Sequence, residues 1–271
     1  MSRREIQGSR AIVTGASSGI GREVARELAR QGASLVVTAR REDRLRELAA
    51  QIADGGGRVE CVAGDITDPE VRARTLQTAR DHFGGLDILV NNAGVGAMGQ
   101  FEMADPQRVR RIMEVNFFAL VEMTRAALPL LREGRRPILV NVSSILGRRG
   151  VPHNSEYAAS KFAVHGFSES LRAELSAAGP TAAGPTGRAI DLLVVSPGTT
   201  DTEFFDRVIE QTSSPQWPEH QAVTAAAVAR AIVRGIRRGR HEIVPYRWGK
   251  VLLWLNRISP RLVDALMARY A

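Results

Sequence analysis

Residues 10–32 read RAIVTGASSGIGREVARELARQG, and this stretch decides the fold. A short β-rich run at 10–14 is followed by a glycine-rich turn and then by an amphipathic segment that ends at Gly32. The pattern predicts a strand, a loop and a helix, with glycine just past the helix end. Glycines allow the backbone to approach a pyrophosphate, and the helix N-terminus supplies unpaired N–H groups and a favourable dipole. The stretch therefore predicts a loop that binds a dinucleotide.

The same alternation of strand and helix continues along the chain. Strands that are continuous apolar runs between helices indicate a parallel sheet covered on both faces. A chain of 271 residues suits one large α/β domain. We therefore predict a single-domain, Rossmann-type doubly wound parallel sheet of about seven strands in residues 1–245, with a tail at 246–271. The further strands are expected at 34–40, 58–65, 86–94, 137–144, 189–198 and 241–245, and the long helices at 105–131, 155–178 and 224–239.

The 37 basic and 29 acidic residues leave a net charge of +8, which suits nucleic acid, a membrane surface or an anionic ligand. The arginines alternate with acids in predicted helices, and aromatic residues make up 5% of the chain, so we expect no nucleic-acid partner. The single cysteine, Cys61, suits a reducing compartment. Without a secretory leader or an apolar run of about 18 residues, we expect a cytoplasmic protein. The five histidines lack metal-ligand spacing, so no metal site is predicted.

Tyr157 and Lys161 lie four residues apart in a predicted helix and therefore share one of its faces. An ammonium group beside a phenol would lower the tyrosine pKa from about 10 toward working pH, which suits a general acid or base. Ser144 precedes the pair by a loop and could offer a hydroxyl to the same oxygen atom. The alternative is an ordinary surface tyrosine and lysine, which the pair alone does not exclude.

Five motifs occur together and in order, and in this combination the sequence resembles the short-chain dehydrogenase/reductase family over nearly its whole length. The glycine loop has the spacing GxxxGxG, which differs from the GxGxxG of the broader Rossmann group. The motifs are TGASSGIG (14–21), NNAG (91–94), Asn116 in MEVN, the set of Ser144, Tyr157 and Lys161, and SPG (196–198).

The resemblance implies roles for four side chains. Tyr157 would be the acid or base at the substrate oxygen, and Ser144, rather than its neighbour Ser143, would orient that oxygen. Lys161 would lower the tyrosine pKa and bind the nicotinamide ribose. Asn116 would lie at a bend in its long helix and hold a water that links Lys161 to solvent. Hydride would pass between the nicotinamide C4 and the carbonyl carbon.

The end of the second predicted strand bears on the choice of cofactor. NAD-binding folds place an acid there, which binds the ribose 2′-hydroxyl. Here the strand ends with Thr38-Ala39-Arg40-Arg41, and no acid precedes Glu42. A guanidinium binds a 2′-phosphate through charge-assisted hydrogen bonds, whereas a carboxylate would repel it. We therefore predict NADP(H) as the cofactor, with Arg40 as the phosphate ligand and Arg41 as a solvated bystander.

The resemblance also implies a larger set of cofactor contacts at the ends of the strands. Asn91, the first residue of the NNAG motif, is expected to stabilise the sheet and not to contact the cofactor. Besides Arg40, Tyr157 and Lys161, the predicted cofactor-binding residues are Gly15, Ser17, Ser18, Gly19, Ile20, Gly21, Asp65, Ile66, Asn92, Ala93, Gly94, Pro197, Gly198, Thr200 and Thr202.

The predicted substrate pocket has mostly apolar walls, which favours a hydrophobic ketone, aldehyde or alcohol that is steroid- or lipid-like. We therefore expect an NADP(H)-dependent oxidoreductase that interconverts an alcohol and a carbonyl compound. Two alternatives stay open: a 3-oxoacyl-thioester reductase, and a weakly catalytic NADP(H)-binding sensor or membrane-associated scaffold. The walls are expected to come from Val95, Met98, Phe101, Ile145, Leu146, Val151, Phe204, Phe205 and Trp217.

The C-terminal tail at 246–271 mixes tryptophans and leucines with arginine and lysine. It could pack on its own domain or on a second subunit, or it could be a helix at a membrane surface. The resemblance implies a homodimer or homotetramer formed through the two long helices at 105–131 and 155–178. A repeated AAGPT at 177–186 predicts a lengthened surface loop.

Overall fold

The computed structural model describes residues 4–177, 189–204, 208–211 and 222–270. Nine strands are present in this part of the chain: β1 (Arg10–Thr14), β2 (Ser34–Ala39), β3 (Arg58–Ala63), β4 (Ile88–Asn91), β5 (Ile138–Val142), β6 (Asp191–Val195), β7 (Thr200–Asp201), β8 (Val223–Thr224) and β9 (Glu242–Ile243). Seven of them form one parallel sheet in the order β3-β2-β1-β4-β5-β6-β9, while β7 and β8 pair separately. The predicted fold class is confirmed.

Helices connect these strands and cover the sheet. The long helix predicted at 105–131 begins at Arg108 and contains a π-helical turn, Glu114–Phe118, which divides it into α4 and α5. The repeated AAGPT lies almost entirely outside the described residues. The described helices are α1 (Gly19–Arg30), α2 (Glu42–Asp54), α3 (Pro69–Phe83), α4 (Arg108–Met113), α5 (Ala119–Arg132), α6 (Ser155–Ala177), α7 (Ala225–Arg237), α8 (Arg247–Ile258) and α9 (Pro260–Met267).

Successive residues of β1 point into two different hydrophobic layers. Ala11 and Val13 pack in a cluster with residues of α1, α2 and α7. Ile12 packs in a second cluster with residues of α3 and α5. Because side chains alternate across a strand, an uninterrupted apolar run can fill both layers. The sheet is therefore buried on both faces, as its sequence predicts.

The strand order reverses at β1, and this reversal positions the site. β2 and β3 lie on one side of β1, whereas β4, β5 and β6 lie on the other. The register places Thr14 beside Thr38 and Asn91 beside Asn141. In an open parallel sheet, the ligand crevice lies beyond the carboxyl ends of the strands at such a reversal. The ligand site is therefore expected beyond Thr14 and Asn91.

The tail folds into α8 and α9, which pack back on the domain. Gly249 lies against Ile145, because a Cβ built on Gly249 would come within 3.0 Å of the isoleucine side chain. Arg149 binds Asn256 Oδ1 at 3.2 Å and Asp264 Oδ1 at 2.5 Å. Among the described helices, none has the length and apolar character required to cross a membrane.

An ion pair joins the amino ends of β1 and β4. It lies at the opposite end of these strands from the crevice where the strand order reverses. Asp87 is buried and accepts hydrogen bonds from the Arg10 backbone N–H and guanidinium and from the Arg135 N–H. Burial alone would raise the pKa of Asp87, but these donors hold it below the ordinary value. The carboxylate therefore stabilises the fold while it is ionised.

Replacing Asp87 with asparagine should lower the free energy of unfolding by about 3 kcal/mol at neutral pH, because the largely shielded Arg10 guanidinium keeps its charge but loses its anionic partner. Urea unfolding measures this loss, and Asp54→Asn, at an exposed carboxylate, is the matched control. The difference should be complete above the unfolded aspartate pKa of about 3.9 and should shrink as pH falls through the lower folded pKa. A difference that does not depend on pH would contradict the ionic role.

Candidate active site

The glycine-rich loop after β1 is held against the turn after β4. Thr14 Oγ1 accepts hydrogen bonds from the N–H groups of Asn92 and Ala93, both at 3.0 Å. Asn92 Nδ2 donates to the carbonyl oxygens of Thr14 and Gly15, at 3.0 and 3.2 Å. Gly15 has a φ of 66°, which other residues rarely adopt. These contacts give the loop one defined conformation.

Gly21 has a packing role that differs from its predicted one. A Cβ on Gly21 would lie 2.4 Å from both Asn92 Nδ2 and the Gly15 carbonyl oxygen. Gly21 does not line the cleft, and its direct contact with a cofactor stays a prediction. It is glycine because the helix must approach the loop closely.

A cleft of about 470 Å³ opens beyond the carboxyl ends of the strands. The start of α1 borders it, and Ser18 makes no side-chain cap there, so first-turn N–H groups are left for a ligand. A glycine loop at an uncapped helix N-terminus fits the pyrophosphate of a dinucleotide. The other predicted cofactor residues line the same cleft: Gly15, Ser17, Ser18, Gly19, Ile20, Arg40, Asp65, Ile66, Asn92, Ala93, Gly94, Tyr157, Lys161, Pro197, Gly198, Thr200 and Thr202.

Three side chains with acid–base chemistry meet in this cleft. Ser144 and Tyr157 share a hydrogen bond. Lys161 Nζ donates to the Val142 carbonyl oxygen at 3.2 Å and lies 5.7 Å from the centroid of the Tyr157 ring. Ser143 instead donates its hydroxyl to the Lys161 carbonyl oxygen at 3.0 Å. The structure thus pairs Ser144, and not Ser143, with the tyrosine.

Asn116 lies in the π-helical turn and connects three elements. Its Oδ1 accepts from the Val95 N–H at 2.8 Å, and its Nδ2 donates to the Val95 carbonyl oxygen and to Ser160 Oγ. The neighbouring Gly94 fits between the site's polar groups, since a Cβ there would lie 3.2 Å from Asn116 Oδ1 and 3.5 Å from Lys161 Nζ. Asn116 therefore fixes the turn after β4 beside α6, the helix that carries Tyr157 and Lys161. Its water-holding role stays a prediction.

Burial controls the protonation of the tyrosine and the lysine. It raises the pKa of Tyr157 to about 12, although the hydrogen bond with Ser144 opposes the rise. It lowers the pKa of Lys161 to about 8. A surrounding of low polarity disfavours the charged form of each group. The predicted lowering of the tyrosine pKa is therefore not found, and near neutral pH the phenol keeps its proton.

The two arginines after β2 differ in exposure and in the groups that they contact. Arg41 is mostly buried and donates to Ser18 Oγ at 2.6 Å and to Ser17 Oγ at 3.1 Å. It also binds Glu203 at 2.9 Å. Arg40 is exposed, with one nitrogen 4.0 Å from Asp65. Arg41 is thus no solvated bystander, since it contacts the glycine loop, while the role of Arg40 as the phosphate ligand stays a prediction.

The apolar walls agree with the prediction at six positions. Phe204 lies beside Tyr157, with 5.7 Å between the ring centroids. Phe101 is exposed and does not line the cleft, so its prediction was wrong, whereas Phe205 and Trp217 lie outside the described residues. Sequence reasoning missed Leu252 of α8 and Val208. The confirmed wall residues are Val95, Met98, Ile145, Leu146, Val151 and Phe204.

The sequence analysis also missed a buried arginine next to α6. Arg108 is 1% exposed and binds both carboxylate oxygens of Glu156 at 2.9 Å, beside Tyr157. It also donates to Glu210 at 3.2 Å. The segment 208–211 is joined to the turn after β4 by two backbone hydrogen bonds, from Met98 to Glu210 and from Ile209 to Gly96. Arg108 therefore ties the start of α6 to one wall of the cleft.

As predicted, Asn91 stabilises the sheet. It is buried and donates to Thr124 Oγ1 at 2.9 Å and to Asn141 Oδ1 at 3.0 Å. Within the described part of the chain, no cluster of side chains could hold a metal ion. The cleft brings together a protonated phenol, a hydroxyl and an ammonium group, which can give a proton to, or take one from, a bound oxygen atom.

Comparisons with known proteins agree with this geometry. The family model for short chain dehydrogenases matches residues 9–213. A protein of Arabidopsis thaliana, named 11-beta-hydroxysteroid dehydrogenase-like 4A, is 36% identical over 262 residues that cover 96% of this chain and 83% of that protein.

Two solved structures share the fold. A short-chain dehydrogenase of Burkholderia cenocepacia, determined with NADP, is 29% identical and superimposes with a TM-score of 0.75 over 89% of this chain and 97% of its own. One from Burkholderia phymatum, determined with NAD, gives a TM-score of 0.83 over 96% of both chains. Its identity is 24%, so it supports the fold alone.

The raised pKa of Tyr157 can be measured directly. The difference in tyrosinate absorbance between the wild-type chain and Tyr157→Phe should appear only above the ordinary tyrosine pKa of about 10. Burial of the phenol is the cause. A difference signal below that pH would show that Lys161 outweighs burial, and the melting temperature of the variant serves as the check on folding.

Proposed function

This chain belongs to the short-chain dehydrogenase family of oxidoreductases, and from that premise we propose that it interconverts an alcohol and a ketone or aldehyde on a hydrophobic substrate with NADP(H). The observation that carries the proposal is the hydrogen-bonded pair of Ser144 and Tyr157, with Lys161 beside it, in a cleft that also contains the glycine loop.

The catalytic residues would divide the work at the substrate oxygen. The bound nicotinamide would supply or accept the hydride. In the direction of reduction, the phenol of Tyr157 would donate its proton to the carbonyl oxygen. The raised pKa of Tyr157 keeps this proton on the phenol before the reaction. Ser144 would orient that oxygen through its hydroxyl. The Lys161 cation would stabilise the phenolate that remains.

Arg41 supports NADP(H) over NAD(H). Its guanidinium contacts the hydroxyls of Ser17 and Ser18 at the glycine loop, so one basic group and two donors converge where an adenosine ribose would lie. The Burkholderia cenocepacia structure, which is similar over 89% of this chain, holds NADP. Arg40 is close enough to contribute a second charge from the exposed side. We therefore assign the 2′-phosphate to both arginines, with Arg41 as the main ligand.

The apolar cleft supports a hydrophobic substrate. Val95, Met98, Val151 and Phe204 surround the catalytic pair, together with Leu252 from the tail. The name of the Arabidopsis relative specifies a hydroxysteroid, and the same substrate class fits walls of this kind. We propose a steroid- or lipid-like alcohol or ketone.

Arg41→Ala should weaken NADPH binding roughly tenfold or more, because it removes a charge-assisted contact to the 2′-phosphate. NADH binding should change little, since NADH lacks that phosphate. Titration of nicotinamide fluorescence measures both, and Arg40→Ala, which should have the smaller effect, is the matched comparison. Equal losses for both cofactors would contradict the assignment, and tight NADH binding by the wild type would overturn the cofactor proposal.

Tyr157→Phe should lower kcat for carbonyl reduction by about 10²- to 10⁴-fold while leaving NADPH affinity nearly unchanged, because only the transferable proton is lost. A panel of steroid, long-chain and small charged ketones should show the highest kcat/KM for the apolar members. Preference for small keto acids, or for an acyl thioester on a carrier protein, would reject the substrate class. An active Tyr157→Phe variant would reject the mechanism.

A further inference from the structure

The tail helix α8 has two faces of different character. Its inner face packs on the domain, where Gly249 lies against Ile145 and Leu252 lines the cleft. Its outer face carries Val251, Trp254 and Ile258, spaced three and four residues apart and therefore on one side of the helix. Their exposed fractions are 44%, 62% and 62%. These three large apolar side chains are exposed together, and no segment of the described chain covers them.

Further apolar side chains extend this surface. Trp248 is 61% exposed on α8, and Leu262 and Leu266 are exposed on α9, where they are one turn apart. We call these six residues the tail surface. Large apolar groups that are exposed together mark an interaction site more often than an ordinary solvated surface.

The charge around the tail surface is strongly one-sided. Residues 246–270 contain five basic side chains and a single acid, Asp264, which is already paired with Arg149 at 2.5 Å. All five basic residues are exposed: Arg247, Lys250, Arg257, Arg261 and Arg269. Lys250 and Arg257 flank the apolar stripe of α8 on one side. The partner of this surface must therefore accept both apolar side chains and cations.

We propose that the tail surface binds a lipid bilayer that contains anionic lipids, with the tryptophans and aliphatic side chains entering the interface and the basic residues contacting the headgroups. Helices that lie in a membrane interface combine an apolar face with flanking lysine and arginine, and tryptophan is favoured at that depth. The surface potential of anionic lipids attracts each nearby cation. The two tail helices are therefore suited to lie on the membrane.

A second copy of this chain fits the tail surface less well. A symmetric contact would place the same patch of both copies face to face. The five cations of each tail would then oppose five more, and Asp264 is already occupied. Like charges brought together in this way destabilise an interface. An acidic bilayer meets no such repulsion.

The proposal goes beyond the proposed activity and does not depend on it. The position of α8 nevertheless connects the cleft with the tail surface. The same helix lines the cleft with Leu252 and carries part of the tail surface on its opposite face. A chain that lies on the membrane through this face would hold its cleft one helix diameter from the lipid, which suits a substrate dissolved there.

Co-sedimentation of the full chain with vesicles tests the proposal without any assay of activity. The wild type should pellet with vesicles of phosphatidylcholine and phosphatidylserine, and much less with phosphatidylcholine alone. Trp254→Ser combined with Ile258→Ser should lower partitioning at least about tenfold, because the apolar anchors are lost. Lys250→Glu combined with Arg257→Glu should remove the preference for phosphatidylserine and its sensitivity to salt.

Phe101→Ser is the matched control, since Phe101 is an exposed aromatic residue outside the tail, and it should bind vesicles as the wild type does. Melting temperature and cofactor titration establish that each variant folds. Failure of the wild type to pellet, or equal pelleting of the Trp254→Ser/Ile258→Ser variant, would overturn the proposal. Light scattering that shows a wild-type oligomer and a smaller Trp254→Ser/Ile258→Ser species would assign the surface to a second copy instead.

Discussion

The hydrogen bonds between Thr14 and the turn after β4 are the constraint on which the site depends. They join β1 to β4 where the strand order reverses, and so place the glycine loop beside Asn92–Gly94. From Gly94 the contacts continue to Asn116, in the π-helical turn, and from there to Ser160 of α6. The glycine loop is thereby held at a fixed distance from the helix that carries Tyr157.

Burial has opposite effects on the two titratable groups of this site. It makes Tyr157 a weaker acid than usual and Lys161 a stronger one, because each prefers its neutral form where water is excluded. A charge that develops on the phenol is therefore unfavourable unless the ammonium group is present to balance it. The pair can exchange protons with a bound oxygen, while the isolated phenol stays un-ionised in the physiological range.

The sequence was sufficient for the sheet and the glycine loop and for bringing Tyr157 and Lys161 together, because each is encoded by residues close to one another in the chain. The apolar run at 10–14 predicts β1, and the four-residue spacing predicts that Tyr157 and Lys161 share a face. Roles that depend on side-chain direction or on distant partners could not be predicted. Arg41 rather than Arg40 faces the loop because of how the chain turns after Ala39. Arg108 looks like any helical arginine until the fold brings Glu156 and Glu210 to it, from 48 and 102 residues away.

The ion pair between Arg10 and Asp87 lies at the amino ends of β1 and β4. The cleft lies at the opposite, carboxyl ends of the same strands. This ion pair is thus spatially separate from the cleft. Loops beyond the carboxyl ends can accumulate substitutions that change a substrate while this anchor keeps the strands in register. This separation makes the scaffold evolvable, since a new substrate specificity can arise at the carboxyl ends of the strands without weakening the ion pair at their amino ends.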